Sequence, residues 1–282
     1  MLTISALARY PVKSCRGQAL DSAVVEPWGL AGDRRWMVVD ADGAVITARE
    51  VHELLLAHPQ LCEGGVLLTG PDLPPLFVEL PTGTARMRVE LWGSRVDAAG
   101  AGPAADAWFS KLVARPAHLV YLDDPRARPT DPQRTRPDDR VSFADGYPLL
   151  LTNQSSLDEL NNRIAAGPRA DEGPLPMTRF RPNVVVAGAA PWIEDDWREL
   201  TIGGVPFRAV KGCARCVLTT LDPDTATKGM EPITTLARHR RFDGKTWFGI
   251  NLVPDTHERS GMRVGDEIQI INAVDPGEGP LR

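Results

Sequence analysis

Cysteine is scarce in this chain, at positions 15, 62, 213 and 216 among 282 residues, which excludes a disulfide-stapled scaffold and points to free thiols in a reducing compartment. Long apolar runs are missing as well. The longest, 184–193, is interrupted by Gly188 and Pro191 and falls far short of the ~18 residues a membrane span needs. The first residues show neither a basic start nor a small-residue cleavage site, so no secretory signal is read there and a cytoplasmic protein is expected. Lysine is rare too, five against 27 arginines, and the net charge is -5 with no basic run, which argues against a nucleic-acid partner. No G-x-G-x-x-G follows a strand-like segment, and the Gly244-Lys245-Thr246 triplet has His239 where a phosphate loop needs glycine. Neither G-x-S-x-G nor H-E-x-x-H occurs, which removes the simplest hydrolase and zinc-protease readings.

What is present is globular: 43% hydrophobic and 24% charged residues, and enough chain for one large or two modest domains at ~150 residues each. β-type segments dominate the first 120 residues, among them 35–40 and 44–47 around the turn Ala41-Asp42-Gly43, then 65–69, 76–80 and 87–92. Helical spacing is brief, at 52–57 and 104–113. The segment 123–139 holds four prolines and almost no apolar residue, so it reads as a linker or surface loop between a domain at 1–122 and another at 140–282. After it, 147–152 reads as a buried strand feeding a helix, with Ser156 and Glu159 as a capping box and Gly167 as the stop. Strands are expected at 183–187, in the hairpin 199–202/205–210 turning at Gly203-Gly204, and at 216–221, 247–253 and 267–271. A short helix is expected from Pro232 to about Arg238. Strands and long helices do not alternate, so a doubly wound parallel sheet is disfavoured.

The segment 211–225, KGCARCVLTTLDPDT, carries the most chemistry. A zinc site lacks its second ligand pair, and a thioredoxin-type dithiol needs a helix where this sequence runs Val-Leu-Thr-Thr. With Cys216 at the mouth of a strand, residues three apart face opposite ways, so one sulfur only, Cys213 or Cys216, is expected to look into a given cleft. One thiolate would suit a thiophilic metal, with Arg215 beside it to hold an anion; both cysteines as small buried hydrophobes is the plain alternative. Lys13 and Ser14 stand where a strand ends at a glycine turn, suited to grip a phosphate or simply to meet solvent. Arg34, after Asp33, has the same two readings. Arg179 and Arg181 flank Phe180 just before 184–186, which puts one guanidinium on the buried side, where it needs an anionic partner.

Seven segments in order, YPVKSCRG (10–17), GDRRWMVVD (32–40), FADGYPLLLTN (143–153), FRPNVVV (180–186), CARCVLTTLDPDT (213–225), WFGINL (247–252) and VGDEI (264–268), span nearly the whole chain. Together they make it similar to MOSC-domain proteins with a MOSC N-terminal β-barrel region, the family that includes the mitochondrial amidoxime-reducing component. The resemblance implies a mainly β fold with a few short helices: a MOSC β-barrel domain plus a smaller N-terminal β-barrel-like domain, enclosing a molybdenum cofactor (Mo-molybdopterin). It implies that Cys216 is the catalytic metal ligand. Lys13, Ser14, Arg34, Asp145, Gly146, Tyr147, Arg181, Asn183, Arg215 and Asn251 are implied to hold the pterin and its phosphate.

The implied reaction reduces N-hydroxylated compounds, N–OH becoming N–H plus water, with two electrons and two protons. The chain carries no haem, flavin, nicotinamide or iron–sulfur motif, so the electrons are expected from a separate ferredoxin-, flavodoxin- or cytochrome-type donor with its reductase. No C-terminal ferredoxin domain is expected, since the chain runs 14 residues past 264–268. The substrate is a small N-oxygenated molecule, and the protein is expected to act as a monomer. A carrier or sulfuration module for the same cofactor is the rival reading. One departure concerns Ala226, where the family often has glycine: the turn must avoid a positive φ or accept roughly 1 kcal/mol of strain. Tyr147 and Asn251 stand where mammalian members use other residues.

Overall fold

The computed structural model describes residues 1–282 except 83, 84, 257 and 278. Among the described residues the fold is mainly β, with three α-helices at Pro103–Leu112, Gln154–Ala165 and Ile233–His239. One large sheet runs in the order Ile268–Ala273, Trp197–Ile202, Val205–Ala214, Lys245–Pro254, Leu149–Asn153, Val184–Ala187, Thr3–Arg9 and Gln18–Leu20. Its pairs are antiparallel except Leu149–Asn153 with Val184–Ala187, whose parallel pairing is bridged by the helix Gln154–Ala165. The first strand therefore lies in the sheet built mainly by the C-terminal half, paired Thr3 to Ala187 through Leu7 to Val184. A four-stranded sheet (Trp36–Val39, His118–Tyr121, Ser94–Gly100, Arg86–Leu91) and a three-stranded one (His58–Cys62, Gly65–Gly70, Leu73–Glu79) make up the N-terminal lobe.

Each lobe has its own apolar core. Val12, Trp36, Val38, Leu54, Leu68, Trp108, Phe109 and Leu119 pack together in the first. Ile4, Leu149, Leu151, Val184, Val186, Leu200, Phe207, Ile250 and Leu252 do so against the large sheet. The run 184–186 is buried on both faces because the helix Gln154–Ala165 brings Leu157, Leu160 and Ile164 into a third cluster with Phe180, Leu236 and Phe248. The Trp197–Ile202/Val205–Ala214 hairpin turns where expected. Gly203 and Gly204 both take positive φ (58° and 82°), the two-residue turn whose twist matches the strands.

Three expectations need correction. The helix starts earlier than the Ser156 capping box implied: Asn153 is the cap, its side chain accepting from the Ser155 N–H, while the buried Ser156 hydroxyl donates to Glu194. The residues 216–221 do not form a strand. Val217–Thr220 is a 3-10 helix in which the Thr219 and Thr220 hydroxyls donate to the carbonyls of Cys216 and Val217, local bonds that displace the β preference of the residues. The third concerns 44–47, which pairs only through the isolated bridges Val39 to Val45 and Ala44 to Glu90 rather than as a full strand.

The proline-rich segment 123–139 buries Pro125, Arg128, Thr130 and Asp139. It is fastened by polar contacts: Asp139 takes an ion pair from Arg208 at 2.7 Å, and Arg136 pairs with Asp255 at 2.6 Å.

Candidate active site

A single cleft is lined by Lys13, Ser14, Arg34, Asp145, Gly146, Tyr147, Arg181, Asn183, Arg215, Cys216 and Asn251, so all eleven candidate residues come together although they span positions 13 to 251. Thr47, Arg49, Trp92 and Phe180 line it too, and had not been singled out as part of it; Cys213 lines it as well. Five cations (Lys13, Arg34, Arg49, Arg181, Arg215) face one carboxylate, Asp145, which makes this a positive cavity in an acidic protein.

Lys13 follows the strand Thr3–Arg9 through a turn locked by its own N–H bonding to the Trp36 carbonyl. Its ammonium donates to the Phe143 carbonyl at 2.8 Å and to Asp145 Oδ1 at 2.5 Å. Burial lowers its pKa to about 8, with Asp145 opposing the shift. Desolvation works against ionisation of Asp145, but Lys13 and Arg49 outweigh it and hold that carboxyl below the usual carboxylate range. Asp145 also accepts from Arg49 Nη2 at 2.8 Å and from Trp92 Nε1 at 3.3 Å. Its backbone is fixed by Arg128, whose guanidinium is buried and donates to the carbonyls of Ser142, Ala144 and Asp145. Arg128 sits inside the segment expected to be a loop, and no local sequence signal marks it.

In the same cleft, Asn183 ties four elements together. Its Oδ1 accepts from Arg34 Nη1 (3.0 Å) and the Leu150 N–H (3.2 Å), and its Nδ2 donates to Asp33 Oδ1 (3.0 Å) and the Ala8 carbonyl (3.2 Å). Arg34 is neutralised by Asp33 at 2.6 Å. Arg181 is different: its backbone is tied to the Thr178 carbonyl and to Arg34, but among the described residues its guanidinium has neither an ion-pair partner nor a hydrogen bond, and burial lowers its pKa. A largely desolvated cation without a counter-charge is a site for an anion.

Backbone strain concentrates here. Nine described non-glycine residues have positive φ, and four of them, Ser14 (69°), Arg34 (46°), Trp92 (51°) and Arg181 (56°), line this cleft. Each conformation costs roughly 1 kcal/mol or more and persists where the surroundings impose it, as at ligand-binding sites. Ala226 also has positive φ (58°), so its turn accepts the strain that the sequence left open.

The sulfurs correct an expectation. Both Cys213 and Cys216 line the cleft, rather than one only. The strand Val205–Ala214 ends just after Cys213 and the chain turns into the 3-10 helix at Cys216, so strand alternation does not relate the two side chains. Arg215 donates to Cys213 Sγ at 2.7 Å and to the Phe180 carbonyl at 2.7 Å, while its buried Nε has no partner. Burial pushes the Cys213 thiol up, with Arg215 opposing. Asn251 donates to the Gly212 carbonyl at 3.1 Å, holding this strand end. Tyr147 donates to Asp131 at 3.3 Å, and burial beside that carboxylate pushes its phenol up to about 12. Among the described residues no group of three or more His, Cys, Asp or Glu side chains could cage a metal, so a metal at these sulfurs needs most of its donors from a bound ligand.

Two family models match the sequence: the MOSC N-terminal beta barrel domain over residues 1–116 and the MOSC domain over 138–269. Human mitochondrial amidoxime-reducing component 1 is 34% identical over 254 residues, covering 86% of this chain and 73% of that protein. Human mitochondrial amidoxime reducing component 2 is 29% identical, over 94% of this chain and 82% of its own length. The molybdenum cofactor sulfurase of rice is 32% identical over 86% of this chain, which spans only 31% of that protein.

Proposed function

This chain belongs to the MOSC-domain family, and from that premise we propose that its cleft binds a molybdenum cofactor and reduces small N-hydroxylated compounds. The observation that carries the proposal is the convergence of eleven residues on one cleft that holds both unpaired positive charge and two sulfurs. A pterin dithiolene with a terminal phosphate has the complementary chemistry: it is anionic, and it brings most of the metal's donors with it. The unpartnered Arg181 guanidinium and the buried, partnerless Arg215 Nε are groups such a ligand would satisfy.

In this reading Lys13, Ser14, Arg34 and Arg181 hold the phosphate-bearing end, and Asn183 keeps Arg34 in place through its Oδ1. Asp145, Gly146, Tyr147 and Asn251 form the walls. Arg215 engages the Cys213 sulfur, which leaves Cys216 as the sulfur free to bind metal. Bound there, the cofactor supplies removal of the N–OH oxygen as water, with two electrons and two protons consumed. The electrons come from a separate donor protein of ferredoxin, flavodoxin or cytochrome type. The Tyr147 hydroxyl and Lys13 ammonium are protonated at neutral pH.

The division into 1–122 and 140–282, with 123–139 between, belongs to the same proposal, the strand Thr3–Arg9 crossing to the second sheet. So do a monomeric state and a cytoplasmic location; no described helix is long and apolar enough to cross a membrane. The likeness to molybdenum cofactor sulfurases favours a second reading, a carrier or sulfuration module. Steady-state reduction of benzamidoxime by molybdenum-loaded protein with a chemical electron donor separates the two: turnover supports the reductase, and bound cofactor without turnover of any N-hydroxylated compound supports the carrier.

A further inference from the structure

We propose that Tyr10 is a positioning residue whose buried ring sets Arg34 and Arg181 together as a clamp for the phosphate-bearing end of the ligand in this cleft. The inference rests on the reading that the cleft takes an anionic, phosphate-bearing ligand. Both guanidinium carbons lie 4.3 Å from the centroid of the Tyr10 ring, so one aromatic side chain carries both cations. The ring is fixed through the backbone neighbours of those arginines. Its hydroxyl donates to the carbonyl of Pro182, which follows Arg181, at 3.1 Å. The Tyr10 N–H donates to the carboxylate of Asp33, which precedes Arg34, at 2.8 Å, and the Arg34 N–H donates to the Tyr10 carbonyl at 2.7 Å.

Room for the ring comes from Gly17, where a Cβ would approach Tyr10 Cε1 to 2.5 Å and Cδ1 to 2.9 Å. The charge balance explains what such an arrangement is for. Two guanidinium groups held close together repel each other. Asp33 pairs directly with Arg34, whereas Arg181 has no described carboxylate at ion-pair distance and lies against the ring face, whose negative quadrupole offsets part of the positive charge. The remainder is left for a ligand anion. Both arginines and the adjacent Ser14 are held in left-handed backbone, so the clamp is built before the ligand arrives. A tyrosine that served packing alone would not need to link the two arginines in this way.

The test uses the full chain without cofactor and inorganic phosphate as the probe, titrated by calorimetry at constant ionic strength. Wild-type protein binds phosphate; Tyr10→Phe, which keeps the ring, stays within about twofold, and Tyr10→Leu weakens binding by about tenfold. Arg181→Gln also weakens binding, and in the double variant Tyr10→Leu/Arg181→Gln the loss is smaller than the product of the single losses, because both act through the same contact. Gly17→Ala, which displaces the ring and touches neither arginine, weakens binding in the same direction and decides the matter if Tyr10→Leu does not fold. Folded Tyr10→Leu or Gly17→Ala protein that binds phosphate as tightly as wild type overturns the proposal. Losses that multiply independently in the double variant overturn it too, as does a wild-type protein that does not bind phosphate. If the clamp behaves as expected but molybdenum-loaded protein reduces no N-hydroxylated compound, the reductase reading fails and the clamp stands.

Discussion

Lys13 should destabilise the cofactor-free protein, and replacing it with methionine should reveal by how much. Its side chain is only 6% exposed, and its pKa falls from 10.5 to about 8 because burial disfavours the charged form. A shift of that size corresponds to about 3 kcal/mol, at roughly 1.4 kcal/mol per pKa unit, held against folding at neutral pH. Lys13→Met removes that penalty and also the hydrogen bond to the Phe143 carbonyl, worth about 1 kcal/mol. Asp145 retains Arg49 and Trp92 but loses the ammonium that helps hold its carboxyl low, a cost of about 1 kcal/mol that its 60% exposure to water limits.

The net expectation is a gain of about 1 kcal/mol at pH 7. The pH dependence gives the sharper signature. Between pH 8 and 10.5 the unfolded chain holds the Lys13 proton and the folded chain does not, so wild-type stability rises with pH through that window. Lys13→Met lacks that rise, and its advantage shrinks as pH increases. Urea denaturation of both proteins at pH 7 and pH 10 measures the difference, other titrating groups being common to the two. A Lys13→Met protein less stable than wild type at pH 7, or an advantage that does not change with pH, would refute the reasoning.

Three further outcomes follow from other residues. Arg128→Ala removes the donors that hold the carbonyls of Ser142, Ala144 and Asp145, and urea unfolding should show a loss of about 3 kcal/mol together with reduced molybdenum content. Ala226→Gly relieves a φ of 58° in the turn after Asp222 and should stabilise by up to about 1 kcal/mol in the same assay. Glu194 is fully buried, and burial raises its pKa to about 7 despite hydrogen bonds from Ser156 and Asn153. The folded state then holds a proton that the unfolded state releases between pH 4.5 and 7, so stability falls as pH rises through that window. Glu194→Gln should flatten this fall, as read from thermal midpoints at pH 5 and pH 8.

Local chemistry in the sequence accounts for the elements that were legible. The Gly203-Gly204 turn marks its hairpin because few other residues take two successive positive φ values. The helix Gln154–Ala165 shows in the spacing of Leu157, Leu160 and Ile164, but its cap does not, because the Ser156 hydroxyl is claimed by Glu194, 38 residues away. A β-branched run after Cys216 suggested a strand; short-range threonine bonds made a 3-10 turn instead, and that turn brings the second sulfur into the cleft.

The site residues were legible as family motifs, since Lys13, Arg34, Arg181 and Cys216 each stand in a short recognisable segment. Arg128 and Trp92 were not. Arg128 acts through carbonyls up to 17 residues away, and Trp92 reaches Asp145 from a hairpin 53 residues earlier in the chain, so neither relation leaves a local pattern. The segment 123–139 was hard to read for a related reason: its buried positions are satisfied by polar partners such as Arg208, which apolar patterning does not report.

The central claim, that a molybdenum cofactor sits in this cleft with Cys216 on the metal, is tested most directly by metal analysis of purified wild-type and Cys216→Ala protein made in a molybdenum-replete host. Molybdenum approaching one atom per chain is expected in the wild type, with reduction of an N-hydroxylated substrate by a chemical donor that Cys216→Ala abolishes. Wild-type protein holding less than about 0.1 atom per chain, or Cys216→Ala protein that still turns over, would contradict it.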